Sequence, residues 1–163
     1  MNSHIIQAFA CIGSAVWMCQ IFEASLVPIY ELFKMNVEPG YIEKTHGYVP
    51  ETAYKNPLRN IVKQLSAKGQ IDPTVESRLD RYIDSRHLLV HRWFIQKGWP
   101  ADDDVDGWKA LEIQAIAVRD DAQYLARHFL GYMAENAEPE RARANPEEYL
   151  KRIEGLFHSR IGN

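Results

Sequence analysis

The sequence has few cysteines and no cysteine motif. Cys11 and Cys19 are its two cysteines, and no Cys-x-x-Cys pair occurs, so neither a zinc site nor a redox motif is indicated. The two thiols are eight residues apart in one apolar run, which on a helix separates them by about 12 Å along the axis, too far for a disulfide. We therefore expect reduced, buried thiols and a cytoplasmic protein.

The apolar run near the amino end has no basic residue before it. Residues 9–19 are nearly uncharged, but a signal peptide requires a Lys or Arg ahead of such a run. Gln20 and Glu23 interrupt the run before it reaches the roughly 20 apolar residues that span a bilayer. We expect a buried core helix and no association with a membrane.

Strand-like alternation and internal repeats are also absent from the sequence. Apolar residues instead recur at steps of three and four, which predicts an all-α, up-and-down bundle of four to five helices. The helices are predicted over residues 4–34, 57–67, 72–97, 108–132 and 145–157. Residues 36–57 contain three prolines and two glycines and are expected to form a connector without regular structure. We expect residues 1–136 to form the bundle and residues 137–163 to form a linker and a short helix.

The net charge of −3 provides no overall attraction to nucleic acid, so any contact with RNA or DNA requires a local patch. One stretch qualifies. Residues 78–97 contain five basic and two acidic residues, a local charge of +3. A solvated helix face has the same composition, so the charge alone does not indicate a function.

The same stretch contains a break in a helical stripe. Apolar side chains follow one another at helical spacing from Val75 to Trp93, but Arg86 occupies one of these positions. A guanidinium cannot lose its proton to escape burial, so it must meet an anion, carbonyl groups or water. His87 and His91 are four residues apart and therefore share a face beside it. A permanent cation thus lies next to two groups that titrate near neutral pH.

The run Arg86-His87-Leu88-Leu89-Val90-His91 resembles the signature of HEPN domains, which is an Arg, a polar residue, and a His after four to six intervening positions. In that family the motif lies near the end of a long helix in a helical bundle and is followed by an aromatic residue, here Trp93. The order of helices resembles that of the family over residues 5–133. The resemblance in sequence is limited to the six to eight residues of the motif.

The resemblance implies a metal-independent endoribonuclease that needs no cofactor. The 2′-hydroxyl of RNA attacks the adjacent phosphate, and the products end in a 2′,3′-cyclic phosphate. His91 is then the general acid or base, Arg86 the phosphate clamp and His87 a polar helper. Four neighbours are candidates for RNA contact or support, with base stacking as the expected role of the Trp: Asp84, Ser85, Arg92 and Trp93. Otherwise the aromatic residues Trp93, Phe94, Trp99 and Trp108 are expected in the core or at an interface.

The resemblance also implies a homodimer. On an ideal helix Arg86 and His91 point about 140° apart, so we expect two copies of the motif to complete one site. The expected partners are a second copy, RNA, and a cognate antitoxin or defence-system protein. The toxin branch of the family has a Tyr where Trp93 stands, so we do not expect control by modification of that hydroxyl.

Three alternatives remain open. In the first, Arg86 forms a buried ion pair with Glu23, the acid in the middle of the first helix. His87 and His91 have the spacing of a metal-binding pair, although only His46 and His128 are candidates for a third ligand. The third alternative is a non-catalytic HEPN-like module that binds RNA, a nucleotide or another protein.

Overall fold

The computed structural model describes residues 2–69, 71–136, 143–148 and 151. These residues are mainly helical and contain no strand, which confirms the predicted all-α helical bundle. In this part of the chain six α-helices occur: α1 (Ser3–Val37), α2 (Tyr41–Thr45), α3 (Leu58–Ala67), α4 (Pro73–His87), α5 (Trp93–Lys97) and α6 (Val105–Asn136). A 3₁₀ turn covers Glu51–Lys55, and a π-helical segment covers Leu88–Arg92.

The connector differs from the prediction. Instead of an irregular segment over residues 36–57, the chain forms α2 and the 3₁₀ turn. Helix α2 is bounded by two residues in left-handed conformation, Gly40 with φ 76° and His46 with φ 54°. The predicted carboxy-terminal helix lies mostly outside the described residues, of which 146–148 and 151 are helical. The division of the chain after residue 136 therefore remains a prediction.

The chain forms two compact units, Met1–Phe22 with Leu58–Leu125 and Glu23–Pro57 with Ala126–Asn163. In the first unit the stripe predicted for α6 is buried from Trp108 to Leu125. Facing side chains of α1, α3 and α4 are buried as well: Ala8, Ala15, Phe22, Ile61, Leu65, Leu79 and Tyr82. Phe22 and Tyr82 meet edge to face, with ring centroids 5.3 Å apart. Cys11 and Cys19 are buried and not disulfide-bonded.

The second unit has its own apolar core. Its buried side chains come from the second half of α1 and from the end of α6: Leu26, Val27, Ile29, Tyr30, Phe33, Ala126 and Phe129. Two polar residues, Ser25 and Glu31, are buried among them. A buried carboxylate needs strong partners, and these partners are described below.

Helix α1 is long and apolar enough to cross a membrane, judged by length and composition. Core helices of soluble proteins and signal sequences have the same properties. In this structure α1 buries Ala8 and Ala15 completely and leaves Ile6 and Trp17 about half exposed. The expectation that the protein does not contact a membrane stays a prediction.

Candidate functional site

The motif lies on a helix that begins at a well-formed cap. The Asp72 carboxylate accepts a hydrogen bond of 2.7 Å from the Thr74 amide, and Pro73 occupies the first helical position, as the sequence predicts. Helix α4 then passes without a break into the π segment and α5, which ends at Gly98 with φ 76°. We call the continuous run from Pro73 to Lys97 the motif helix.

Side-chain contacts fix the motif helix to its neighbours in the first unit. Arg78 binds Asp121 of α6 through Nε at 2.8 Å and Nη2 at 2.7 Å, and its guanidinium lies 3.6 Å from the ring centroid of Tyr124. Arg59 of α3 donates a 2.8 Å hydrogen bond to Asp84. The helix is therefore held on both sides upstream of the motif.

A π-helical turn begins two residues after Arg86 and contains His91. It covers Leu88–Arg92, and at its start the Leu88 amide contacts the carbonyls of both Asp84 and Ser85. At its end Arg92 adopts φ −126° and ψ −9°, far from helical values. Such turns are rare and occur frequently at functional sites. No residue pattern in the sequence predicts the turn.

The π turn changes the angle between the two residues. A π turn takes about 4.4 residues, so each residue rotates by roughly 80° instead of 100°. Three of the five steps from Arg86 to His91 lie in the π segment. With these ideal values, the angle between the two residues falls from about 140° to roughly 80°. The ideal-helix geometry assumed from the sequence is therefore wrong for this helix.

The two histidines lie side by side on the solvent face. Their ring centroids are 5.3 Å apart, with 51° between the ring planes, and both residues are exposed. This arrangement confirms that His87 and His91 share a face. Both imidazoles are accessible to a substrate.

Arg86 is half-buried, and its Nε atom is enclosed. This partial burial agrees with the position of Arg86 in the apolar stripe, which also contains the buried Leu89. Glu23, the predicted ion-pair partner, belongs to the second unit, so this pairing stays a prediction.

The other predicted site residues have different surroundings. Asp84 is exposed and bound to Arg59, so it links two helices as well as lying next to the motif. Ser85 is half-buried, and Arg92 is exposed. Trp93 is half-buried, and its enclosed Nε1 has no hydrogen-bond partner within the described part of the chain. Much of the Trp93 ring is therefore withdrawn from a base that would stack on it.

Large apolar side chains extend from the motif to the end of its helix. Phe94 is 65% exposed, Ile95 79% and Trp99 50%. The sequence predicts these aromatic residues in the core or at an interface, and the core interpretation is wrong for Phe94 and Trp99. The sequence did not predict that these apolar side chains are exposed next to the motif.

The described residues include no group of three His, Cys, Asp or Glu side chains that could hold a metal ion. His46 and His128, the candidates for a third ligand, both belong to the second unit, whereas His87 and His91 belong to the first. The described geometry thus gives the metal-binding alternative no support.

A second polar cluster, not predicted from the sequence, lies in the second unit. The Tyr41 hydroxyl donates a 2.5 Å hydrogen bond to the buried Glu31 and accepts one of 2.7 Å from Lys34. Lys34 also pairs with Glu31 at 2.6 Å and lies over the rings of Tyr30 and Tyr41. We call Glu31, Lys34 and Tyr41 the polar triad.

The triad shifts the titration of its members. Burial raises the pKa of Tyr41 above its ordinary 10.0, and the hydrogen bond to Glu31 adds to the rise. Burial alone lowers the pKa of Lys34, but hydrogen bonds to Glu31 and Tyr41 outweigh it, so this pKa lies above its ordinary 10.5. Burial also raises the pKa of Tyr30. Both hydroxyls and the ammonium therefore keep their protons at neutral pH, which indicates a structural role for the triad.

No protein-family model, curated protein sequence or solved structure matches this chain.

Proposed function

We propose that the chain is a HEPN-like, metal-independent endoribonuclease that acts as a homodimer in the cytoplasm. The observation that carries the proposal is the combination of Arg86, His87 and His91 at one π turn. The two imidazoles are exposed there, and the guanidinium is partly withdrawn from solvent. Ion pairs from Arg78 to Asp121 and from Arg59 to Asp84 attach this helix to α6 and α3 upstream of the motif.

The proposed reaction is an in-line transfer within the RNA strand. An imidazole takes the proton of the 2′-hydroxyl, the O2′–P bond forms, and the P–O5′ bond breaks. A second imidazole returns a proton to the departing 5′-oxygen. The Arg86 fork donates hydrogen bonds to the non-bridging phosphate oxygens, where negative charge grows. His91 is the proposed proton carrier, and His87 positions the phosphate or the neighbouring ring.

The homodimer supplies the second set of groups. Arg86 and His91 of one copy still diverge by roughly 80° around the helix axis, so they approach one phosphate from different sides. A two-fold arrangement brings the partner's His91 to the same phosphodiester, and one imidazole then serves as base and the other as acid. We extend the proposal to a toxin or defence effector with a cognate partner protein.

Cleavage of labelled RNA in the presence of EDTA tests the proposal. The parent chain is expected to give fragments that end in a 2′,3′-cyclic phosphate. His91→Ala is expected to lower the rate roughly 10²- to 10⁴-fold, the usual contribution of a positioned acid or base. His128→Ala, an exposed histidine of the second unit, is the matched control and should leave the rate unchanged. Cleavage that persists in His91→Ala, or that EDTA abolishes, contradicts the proposal.

Two observations favour a second candidate function, a non-catalytic module that binds RNA, a nucleotide or another protein. Phe94, Ile95 and Trp99 expose a large apolar surface next to the motif, as binding surfaces do. The net charge of −3 is also modest for a nuclease. This candidate predicts dimerisation and binding with no cleavage, even at high protein concentration.

A further inference from the structure

Helix α2 is a short segment with little packing of its own. The structure describes all five of its residues, Tyr41–Thr45, and none of them is buried. A helix of five residues is too short to be stable alone in water. Its conformation therefore depends on contacts of single side chains with the rest of the second unit. The hydrogen bond of 2.5 Å from the Tyr41 hydroxyl to Glu31 of α1 is such a contact.

Residues in left-handed conformation lie at both ends of α2. Gly40 precedes it with φ 76°, and His46 and Gly47 follow it with φ 54° and 73°. No described atom lies within 4 Å of a Cβ at either glycine, so close packing does not require these glycines. Glycine changes between positive and negative φ at little cost, whereas a histidine at positive φ is strained. Both ends can therefore rotate, and rotation at His46 releases strain.

The ion pair that Tyr41 contacts does not depend on α2. Glu31 and Lys34 both belong to α1, and their charged atoms are 2.6 Å apart. If the Tyr41 hydroxyl leaves, the buried carboxylate still has its cation, so no unpaired buried charge remains. Since α2 contributes no buried residue, its departure also leaves the apolar core of the second unit in place. Opening of α2 therefore costs little more than the hydrogen bonds of Tyr41.

We propose that α2 is a hinged strap that opens as a unit about Gly40 and the His46–Gly47 pair, with the Tyr41 hydroxyl as its latch. In the closed state the latch contacts Glu31, whose side chain is 2% exposed. In the open state the core of the second unit stays folded, and water reaches the ion pair of α1. Segments of low local stability are those that move in proteins. This device lies in the second unit and does not depend on the proposed ribonuclease site.

Native-state hydrogen exchange at rising urea concentration, measured by NMR below the unfolding transition, tests the strap. The amides of Lys44 and Gly47 report on it, since they donate to the carbonyls of Gly40 and Ile42 at 3.1 and 3.2 Å. The amide of the buried Phe33 reports on the core of the second unit. A strap exposes little surface when it opens. Lys44 and Gly47 should therefore exchange together, faster than Phe33 and with roughly a third or less of its urea dependence.

Three variants separate the latch and the hinge from a control. Tyr41→Phe keeps the ring but removes the latch, and it should speed exchange at Lys44 and Gly47 roughly 10- to 100-fold. His46→Gly relieves the strain of the closed state and should slow the same exchange roughly two- to fivefold. Tyr48→Phe changes a residue that is 77% exposed, and this control should leave the exchange as in the parent.

Three results would overturn the strap. Equal urea dependence at Lys44, Gly47 and Phe33 would show that α2 unfolds only together with the core. Exchange at Lys44 and Gly47 as fast as in an unfolded chain would show that α2 is not closed in solution. Unchanged exchange in Tyr41→Phe would show that the hydroxyl is not the latch.

Discussion

Removal of the Tyr41 hydroxyl should destabilise the second unit by a measurable amount. This hydroxyl donates to Glu31 at 2.5 Å and accepts from Lys34 at 2.7 Å, and only 2% of the Glu31 side chain is exposed. Tyr41→Phe deletes a hydrogen bond to a charged, buried group, which is worth about 1.5–3 kcal/mol. Lys34→Met leaves the Glu31 carboxylate without its cation and should cost more, about 3–5 kcal/mol.

Urea unfolding followed by far-ultraviolet circular dichroism measures both losses. Tyr48→Phe, in the same connector and 77% exposed, is the control and should lie within about 0.5 kcal/mol of the parent. A Tyr41→Phe chain as stable as the parent refutes the reasoning. A Lys34→Met chain less damaged than Tyr41→Phe refutes the ranking.

The triad also predicts how stability depends on pH. The pKa values of Tyr30, Lys34 and Tyr41 are raised in the folded chain. A group whose folded pKa exceeds its unfolded value binds more protons when folded, so its contribution is complete below the unfolded pKa. That contribution is lost as the pH rises above 10.0 for the tyrosines and above 10.5 for Lys34. Unfolding at alkaline pH should show a steeper loss in the parent than in Tyr41→Phe, and equal slopes would contradict this account.

Three further predictions concern the packing of the first unit. Gly107→Ala should destabilise the chain by about 1–3 kcal/mol, because its Cβ would lie 2.8 Å from Cγ of Asp104. Gly13→Ala should raise stability by about 0.5–1 kcal/mol, since nothing lies within 4 Å of its Cβ and alanine favours the helix. Thermal unfolding compares the two, and equal shifts would contradict the geometry. Arg78→Gln should cost about 1 kcal/mol, because it removes a partly exposed ion pair in which two guanidinium nitrogens contact one oxygen of Asp121. No loss in urea unfolding would show that this pair does not hold α4.

Periodicity was sufficient to predict the long helices, because burial of one face is encoded directly in the order of residues. The α6 stripe from Trp108 to Phe129 and the start of α4 at Asp72 are the clearest examples. Helix α2 was not predictable in this way. Its Tyr41 is anchored to Glu31, ten residues earlier in the chain, and such a contact leaves no local pattern.

The candidate site was only partly predictable for similar reasons. The motif predicts that Arg86 and His91 are site residues and that they lie on a helix. It does not predict the π turn that begins after Arg86. Helix propensities of single residues such as Leu88 and Val90 do not encode an extra residue in a helical turn. The exposure of Phe94 and Trp99 was also missed, since apolar composition favours burial without requiring it.

The bulge in the motif helix has one consequence for variation of this chain. A π turn is an α-helix that holds one surplus residue, so loss of the exposed Val90 would leave a regular helix. The segment Trp93–Lys97 would keep its orientation, and Phe94 would still meet Trp99. The number of residues between Arg86 and His91 can therefore change without a change in the rest of the fold.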